Sequence, residues 1–208
     1  MKKLLIIGAS GHGKVVANIA HDCGDWNEIS FLDDDLNKVG SSLIGFNIID
    51  TTVNLEFYVN DYEFVVGIGN AYVREEVTHK LLKMGAYLST LIHPSAVIGL
   101  DVKIGQGTVL MPMCVVNSSS TIGLGCIINT GATVDHDCEL GAFVHLSPGS
   151  TIAGTVKIGS RTWIGTGARI INNLSVFQDC TIAAGAVVVK SINNPGLYIG
   201  IPAREVKK

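Results

Sequence analysis

The chain has 208 residues, 47% of them apolar and only 16% charged, against roughly 25% charged in an average soluble protein. There is ample apolar surface to bury, which excludes a disordered chain. No apolar run approaches the ~20 residues of a membrane span, and Leu4-Leu5-Ile6-Ile7 is shorter than the roughly 7–15-residue core of a signal peptide. The chain reads as soluble and cytoplasmic, with no membrane partner. A net charge of −3 gives no footprint for nucleic acid. Residues 1–94 carry 7 basic and 12 acidic side chains, and residues 95–208 carry 8 basic and 6 acidic. Arg161, Arg169, Lys190, Arg204, Lys207 and Lys208 fall in the last 48 residues. A local cationic patch there suits a small phosphorylated ligand; a solvated tail is the competing reading.

Residues 1–94 read as a small α/β domain of Rossmann-like type. Lys3–Gly8 is a buried strand, followed by Gly8-Ala9-Ser10-Gly11-His12-Gly13 and a helix to about Asp22. Glu28–Asp33 and Tyr62–Ile68 are further strands. Gly69-Asn70 then opens a helix with Val73, Val77, Leu81 and Met84 at helical spacing and Asn70 as N-cap. A short strand, Tyr87–Ile92, leads out through His93-Pro94. Alternating β and α segments imply a parallel sheet with its ligand beyond the C-terminal strand ends. The glycine turn brings backbone N–H groups to a helix N-terminus, where phosphate binds. Asp33 and Asp34 are placed to accept hydrogen bonds from ligand hydroxyls or base amides. The spacing departs from GxGxxG, and about four strands are expected instead of six. A small nucleotide-linked ligand therefore fits better than NAD, and a turn that merely reverses the chain competes with both.

Residues 95–208 carry a repeat. From Ile98 to Val188, every sixth residue is aliphatic, sixteen times in succession. The residue four places later is mostly small, and glycine often follows the aliphatic residue, which suggests that it makes the turn. A period of six cannot be an amphipathic helix; it is the hexapeptide repeat of a parallel β-helix, three hexads to each triangular coil of 18 residues. Cys114, Cys126, Cys138 and Cys180 occupy the small inward position and read as core thiols. Cys23 belongs to the first helix, no CxxC occurs, and disulfides are not expected in this compartment.

Two histidines lie in the repeat. His136 is third in its hexad, at an outward corner between Asp135 and Asp137, and His145 is sixth, also outward. Each could be no more than a surface imidazole. A carboxylate beside imidazole orients it and raises its basicity. Gly154 lies eighteen residues beyond His136, one coil further along the stack, and a glycine there leaves its N–H accessible. A base beside a free backbone donor is what attack on a carbonyl requires, with an oxyanion to stabilise. Cys138 points inward, which favours direct transfer over a thiol acyl-enzyme.

Taken together, the hexads and Gly8-Ala9-Ser10-Gly11-His12-Gly13, Phe31-Leu32-Asp33-Asp34, Asn129-Thr130, His136-Asp137, Phe143-Val144-His145, Ala153-Gly154 and Gly200-Ile201-Pro202-Ala203-Arg204 resemble the left-handed β-helix acetyltransferases. Among these, the likeness is to the nucleotide-amino-sugar N-acetyltransferases and sialic acid O-acetyltransferases, including the bacillosamine-pathway branch. The resemblance implies a homotrimer using acetyl-CoA and no metal, with sites in clefts between prisms. It makes His136 the general base and Asp137, where the bacillosamine branch has Glu, its modulator. Gly154 becomes the amide facing the thioester oxygen and Asn129 a polar active-site residue. His145, Thr166 and Ala184 become acetyl-CoA contacts, with Arg204 suited to the CoA phosphates. Ser10, Gly11, His12, Asp33, Asp34 and Gly69 become the sugar-nucleotide pocket.

The leading expectation is N-acetylation of a nucleotide-linked 4-amino-4,6-dideoxy sugar for surface polysaccharide. The alternatives are an O-acetyltransferase on sialic acid or another sugar, and a non-catalytic scaffold that binds sugar nucleotide. A zinc lyase on the same prism would need three histidines about the metal, and the repeat offers two.

Overall fold

The computed structural model describes residues 1–206, which divide into two compact units, one of Met1–His93 and one beginning at Pro94. Lys207 and Lys208, counted above among the late cations, lie outside the described residues.

In the first unit, strands β1 (Lys3–Ile7), β2 (Glu28–Leu32), β3 (Ser42–Leu43), β4 (Phe46–Asp50), β5 (Glu63–Val66) and β6 (Tyr87–Leu88) form one sheet in the order β3-β4-β2-β1-β5-β6. All pairings are parallel except β3 with β4. Strand β1 is central, and Leu4 to Ile7 are fully buried, as expected of a strand covered on both faces. Helices α1 (Gly11–Cys23) and α2 (Ala71–Lys83) follow β1 and β5. The sheet has six strands, two more than the sequence suggests. The hairpin joining β3 to β4 turns through Ile44 and Gly45, both at positive φ. Isoleucine there conceals a turn that Asn or Asp would have announced.

Asn70 caps α2, its side chain accepting from the backbone N–H of Tyr72 and Val73. The buried face of that helix differs from expectation. Arg74, Thr78 and Leu81 are buried, whereas Val73 is exposed. The reason is polar: the Arg74 guanidinium donates to the carbonyls of Ile68 and Gly69, at 3.0 and 2.7 Å, satisfying the end of the β5 connection from inside the protein.

In the second unit, sixteen short strands end on the sixteen aliphatic residues, from Val97–Ile98 to Val187–Val188. Partners are eighteen residues apart, as in Ile128↔Leu146, Val116↔Val134 and Ile122↔Leu140. Three parallel sheets result. We call the face containing Ile127–Ile128 the first, that containing Thr133–Val134 the second, and that containing Glu139–Leu140 the third. The aliphatic residues and most of the small inward ones pack into one core. Several small residues also stitch neighbouring coils together. Thr108 and Thr162 donate to the carbonyls of Gly123 and Phe177 and accept from the N–H of Cys126 and Cys180.

The structure relocates the turn. The residue three places after each aliphatic residue, from Asp101 through Gly185, has positive φ at every corner. The glycine directly after the aliphatic residue serves another purpose. A Cβ on Gly123 would lie 2.6 Å from the backbone carbon of Gly141 in the next coil, and one on Gly105 as close to Gly123. Those glycines let the coils stack; they do not turn the chain. Gly123→Ala should therefore cost about 1–3 kcal/mol, the usual penalty of overpacking. Gly131→Asn should change stability by only a few tenths, because Gly131 has φ +63° with open space around it and Asn tolerates that region. Urea unfolding midpoints of the two variants check the contrast.

Candidate active site

His136 stands at the edge between the second and third faces, just after Val134. It and Asp137 have side chains 58% and 59% exposed, so the imidazole faces outward. Asp137 occupies the left-handed corner position, φ 58°, and its carboxylate Oδ2 lies 2.8 Å from His136 Nδ1. Asp135 holds the other side: its Oδ1 accepts from the His136 backbone N–H at 2.8 Å and from the Asn117 amide at 2.9 Å. The hydrogen bond to Asp137, with the Asp135 charge behind it, raises the His136 pKa above the ordinary imidazole value. Asp135 is pulled the opposite way, chiefly by its bond to Asn117. Since Nδ1 faces a carboxylate, Nε2 is the nitrogen left to take a proton.

Gly154 lies under this ring. A Cβ there would meet His136 Cε1 and Nε2 at 2.7 Å, so only glycine admits the imidazole in this position. The ring covers Gly154, which is buried and not open to solvent as the sequence suggests. No carbonyl among the described residues accepts its N–H.

The remaining prism residues lie elsewhere. Asn129, Thr166 and Ala184 sit at the edge between the first and second faces, and His145 points out from the first face. The Asn129 amide nitrogen is 3.2 Å from His145 Nε2, and its oxygen accepts from Thr130 N–H. That fixes the amide orientation. Trp163, half exposed, lies parallel to His145 with ring centroids 6.1 Å apart, and its indole N–H donates to Ser147 at 2.7 Å. Thr166 and Ala184 are exposed. Within one chain, a full side of the triangle separates Asn129 from His136, although sequence reasoning groups them. Reasoning from hexads singles out neither Trp163 nor Asn117. Their residue types at outward positions eighteen residues from His145 and Asp135 were the available signal.

In the first unit, Ser10, Asp33 and Asp34 line a cavity of about 200 Å³ with Ile7, Gly8, Leu32, Thr52 and Ile68. It opens at the C-terminal ends of β1 and β2 and at the N-terminus of α1, where helix N–H groups lack intrahelical acceptors. Gly13 lets α1 approach the strand, since a Cβ would overlap the Gly8 carbonyl. Asp33 is largely spent on the protein itself. Its oxygens accept from Ala9 N–H at 2.7 Å and Asp35 N–H at 3.0 Å and pair with Lys38 at 3.1 Å. Asp34 holds Thr52 through both N–H and hydroxyl. Gly11, His12 and Gly69 are outside the cavity lining. Burial, and then the Arg74 charge, push His12 down to about 4, so it is neutral at physiological pH.

The late cations divide as well. Arg161 is committed to Asp179 one coil on, through Nε–Oδ1 at 2.7 Å and Nη2–Oδ2 at 2.9 Å. Arg169, Lys190 and Arg204 are exposed, and the last two share a cavity of about 370 Å³ with Tyr198 and Glu205. Among the described residues, no group of three or more His, Cys, Asp or Glu is placed to hold a metal, and no helix is long and apolar enough to cross a membrane.

Two pH effects follow. Asp137→Asn should lower the His136 pKa toward 6.5, read by NMR titration of the imidazole carbon-bound protons. For His12, the folded pKa lies below the unfolded value of 6.5, so the unfolded chain binds the extra proton. The stability concerned is present above pH 6.5 and lost as pH falls to about 4, about 3 kcal/mol in all. Urea unfolding of His12→Gln should show that much less dependence on pH than the parent across this window.

Residues 3–81 match the PglD N-terminal domain family. The chain is 33% identical over 111 residues to UDP-N-acetylbacillosamine N-acetyltransferase of Bacillus subtilis, 53% of this chain and 51% of that one; the match thus spans about half the length of the curated relative. The acetyltransferase domain of PglB from Neisseria gonorrhoeae superposes with TM-score 0.95 and 42% identity, over 99% of this chain and 100% of that one. It has also been solved with acetyl coenzyme A. PerB of Caulobacter crescentus, solved with CoA and GDP-perosamine, superposes with TM-score 0.93 and 35% identity, over 100% and 98%. With these likenesses running the length of both units, the chain belongs to the nucleotide-sugar N-acetyltransferase family, whose second domain is a left-handed parallel β-helix.

Proposed function

We propose that this protein transfers the acetyl group of acetyl-CoA to the amine of a nucleotide-linked 4-amino-4,6-dideoxy sugar. The observation that carries the reading is the His136 imidazole, gripped at Nδ1 by Asp137, with its backbone N–H held by Asp135, and laid across a glycine whose N–H has no acceptor among the described residues. His136 Nε2 removes a proton from the sugar ammonium, and the neutral amine attacks the thioester carbonyl. Negative charge grows on the carbonyl oxygen, and we assign the Gly154 N–H, which has no acceptor among the described residues, to stabilise it. The tetrahedral intermediate collapses with cleavage of the C–S bond, the second proton of the attacking nitrogen passing to the departing thiolate, which gives the amide and CoA thiol, and the proton held on His136 is released to solvent. Asp137 stabilises the imidazolium that forms in between, as a hydrogen-bonded carboxylate does.

We assign acetyl-CoA to the second unit, along Asn129, His145, Thr166 and Ala184, with Arg204 for its phosphates. The sugar nucleotide is assigned to the first unit, at the cavity lined by Ser10, Asp33 and Asp34, and extending to Gly11, His12 and Gly69, which neighbour Ser10 and Ile68 in the chain. The prism residues lie on two different edges, so a single copy does not bring them together. A homotrimer, in which the His136 edge of one copy faces the His145 edge of another, completes the site and is part of the proposal. The reaction is placed in the cytoplasm and serves surface-glycan synthesis.

A thiol-release assay with acetyl-CoA against dTDP-, UDP- and GDP-linked amino sugars and sialic acid tests the reading. Turnover with an amino sugar and none with sialic acid is expected; acetylation of sialic acid alone overturns it in favour of O-transfer. His136→Ala should lower turnover by at least ~10²-fold while CoA binding by calorimetry is retained. Near-normal turnover would assign the proton transfer to another group.

A further inference from the structure

We propose that Ser120, buried beneath the His136 turn, is a positioning residue for that imidazole, clamping the turn at both ends. The inference rests on His136 being the base. Ser120 is fully buried and lies one coil below the turn 135–138. Its hydroxyl donates to the Asp135 carbonyl at 2.7 Å and accepts from the Cys138 N–H at 3.1 Å. One side chain thus ties down the residue before His136 and the residue after Asp137. The Cys138 thiol continues the line, donating to the Ala153 carbonyl at 3.2 Å, next to Gly154. A hydrogen-bonded path of three coils therefore sets the turn, the ring and the glycine against one another.

The same pair of bonds joins coils at Thr108 and Thr162; what is particular to Ser120 is the imidazole on the turn it spans. Along the edge between the second and third faces, the inward small positions are Val102, Ser120, Cys138, Val156 and Leu174. Only the two flanking the His136 turn carry a polar hydrogen, while their neighbours are aliphatic. Burying a hydroxyl brings little net stability compared with a well-packed methyl, so packing alone gives no reason for serine there. At the third-to-first edge, Thr162 makes the equivalent pair of bonds, to the Phe177 carbonyl and from the Cys180 N–H, with no imidazole on the turn it spans. That provides a matched control, and it shows that threonine fits this role.

The experiment compares Ser120→Ala, Ser120→Thr and Thr162→Val in the full chain. The His136 pKa is read by NMR, and kcat and KM for acetyl-CoA are read in the assay above. Loosening the turn lengthens the contact between His136 and Asp137, the other facing charge being Asp135. Ser120→Ala is therefore expected to lower the His136 pKa toward the ordinary imidazole value and kcat by ~10-fold or more, since displacements near 1 Å cost up to ~10²-fold. The KM for acetyl-CoA should stay within about twofold. Ser120→Thr should restore both readings, and Thr162→Val should lose comparable stability with neither shifted. If Ser120→Ala moves the titration and kcat no further than Thr162→Val does, the positioning role is overturned. The titration needs no turnover: should His136→Ala retain full activity, the base assignment falls while the NMR arm still decides the clamp.

Discussion

Each corner of the prism turns on one residue held in the left-handed backbone region, and the rest of the second unit follows from that constraint. The positive φ closes the coil in eighteen residues, so like positions stack directly over one another. Stacking gives the inward aliphatic columns, and it brings the coils so close after each strand that Gly105 and Gly123 have no space for a side chain. It also makes Asp137 a corner residue. Non-glycine residues rarely adopt this conformation, although Asp and Asn tolerate it better than most. At this corner the strained position holds the carboxylate that grips His136, so the geometry required by the fold also aims the proposed base.

The two units support function by different physics. In the prism, the candidate side chains are presented from a rigid ladder in which every coil is bonded to the next, and a side chain's place is set by its residue number modulo eighteen. In the first unit, the candidate pocket is built at the ends of parallel strands, where backbone N–H groups and a helix terminus converge. There Asp33 and Asp34 are partly engaged in holding the pocket together, through Ala9 and Thr52.

Legibility from sequence followed the same division. The hexads were readable because a strict period of six has one structural solution, and with them came the outward station of His136 and its pairing with Gly154. The turn residue was misassigned because glycine was taken as a sign of backbone freedom, whereas most of the glycines directly after the aliphatic residue answer to lack of space. In the first unit, β3 and β4 were missed because isoleucine occupies a left-handed turn. The buried face of α2 was misread because an arginine, the residue least expected inside, satisfies two carbonyls from there. Asn117 and Ser120 stand in no local motif, because their contacts lie eighteen and fifteen residues away.

The eighteen-residue coil also bears on how such a chain tolerates change in length. Excising six residues would keep every aliphatic residue pointing inward, yet it would rotate all that follows by a third of a turn. A side chain downstream would then emerge from a different edge, and the separation of His136 from Asn129 around the triangle would be remade. Excising eighteen would shorten the stack by a single layer and leave each edge with the same chemistry. Packing alone thus permits lengths that differ by one hexad, whereas preserving the site permits only whole layers.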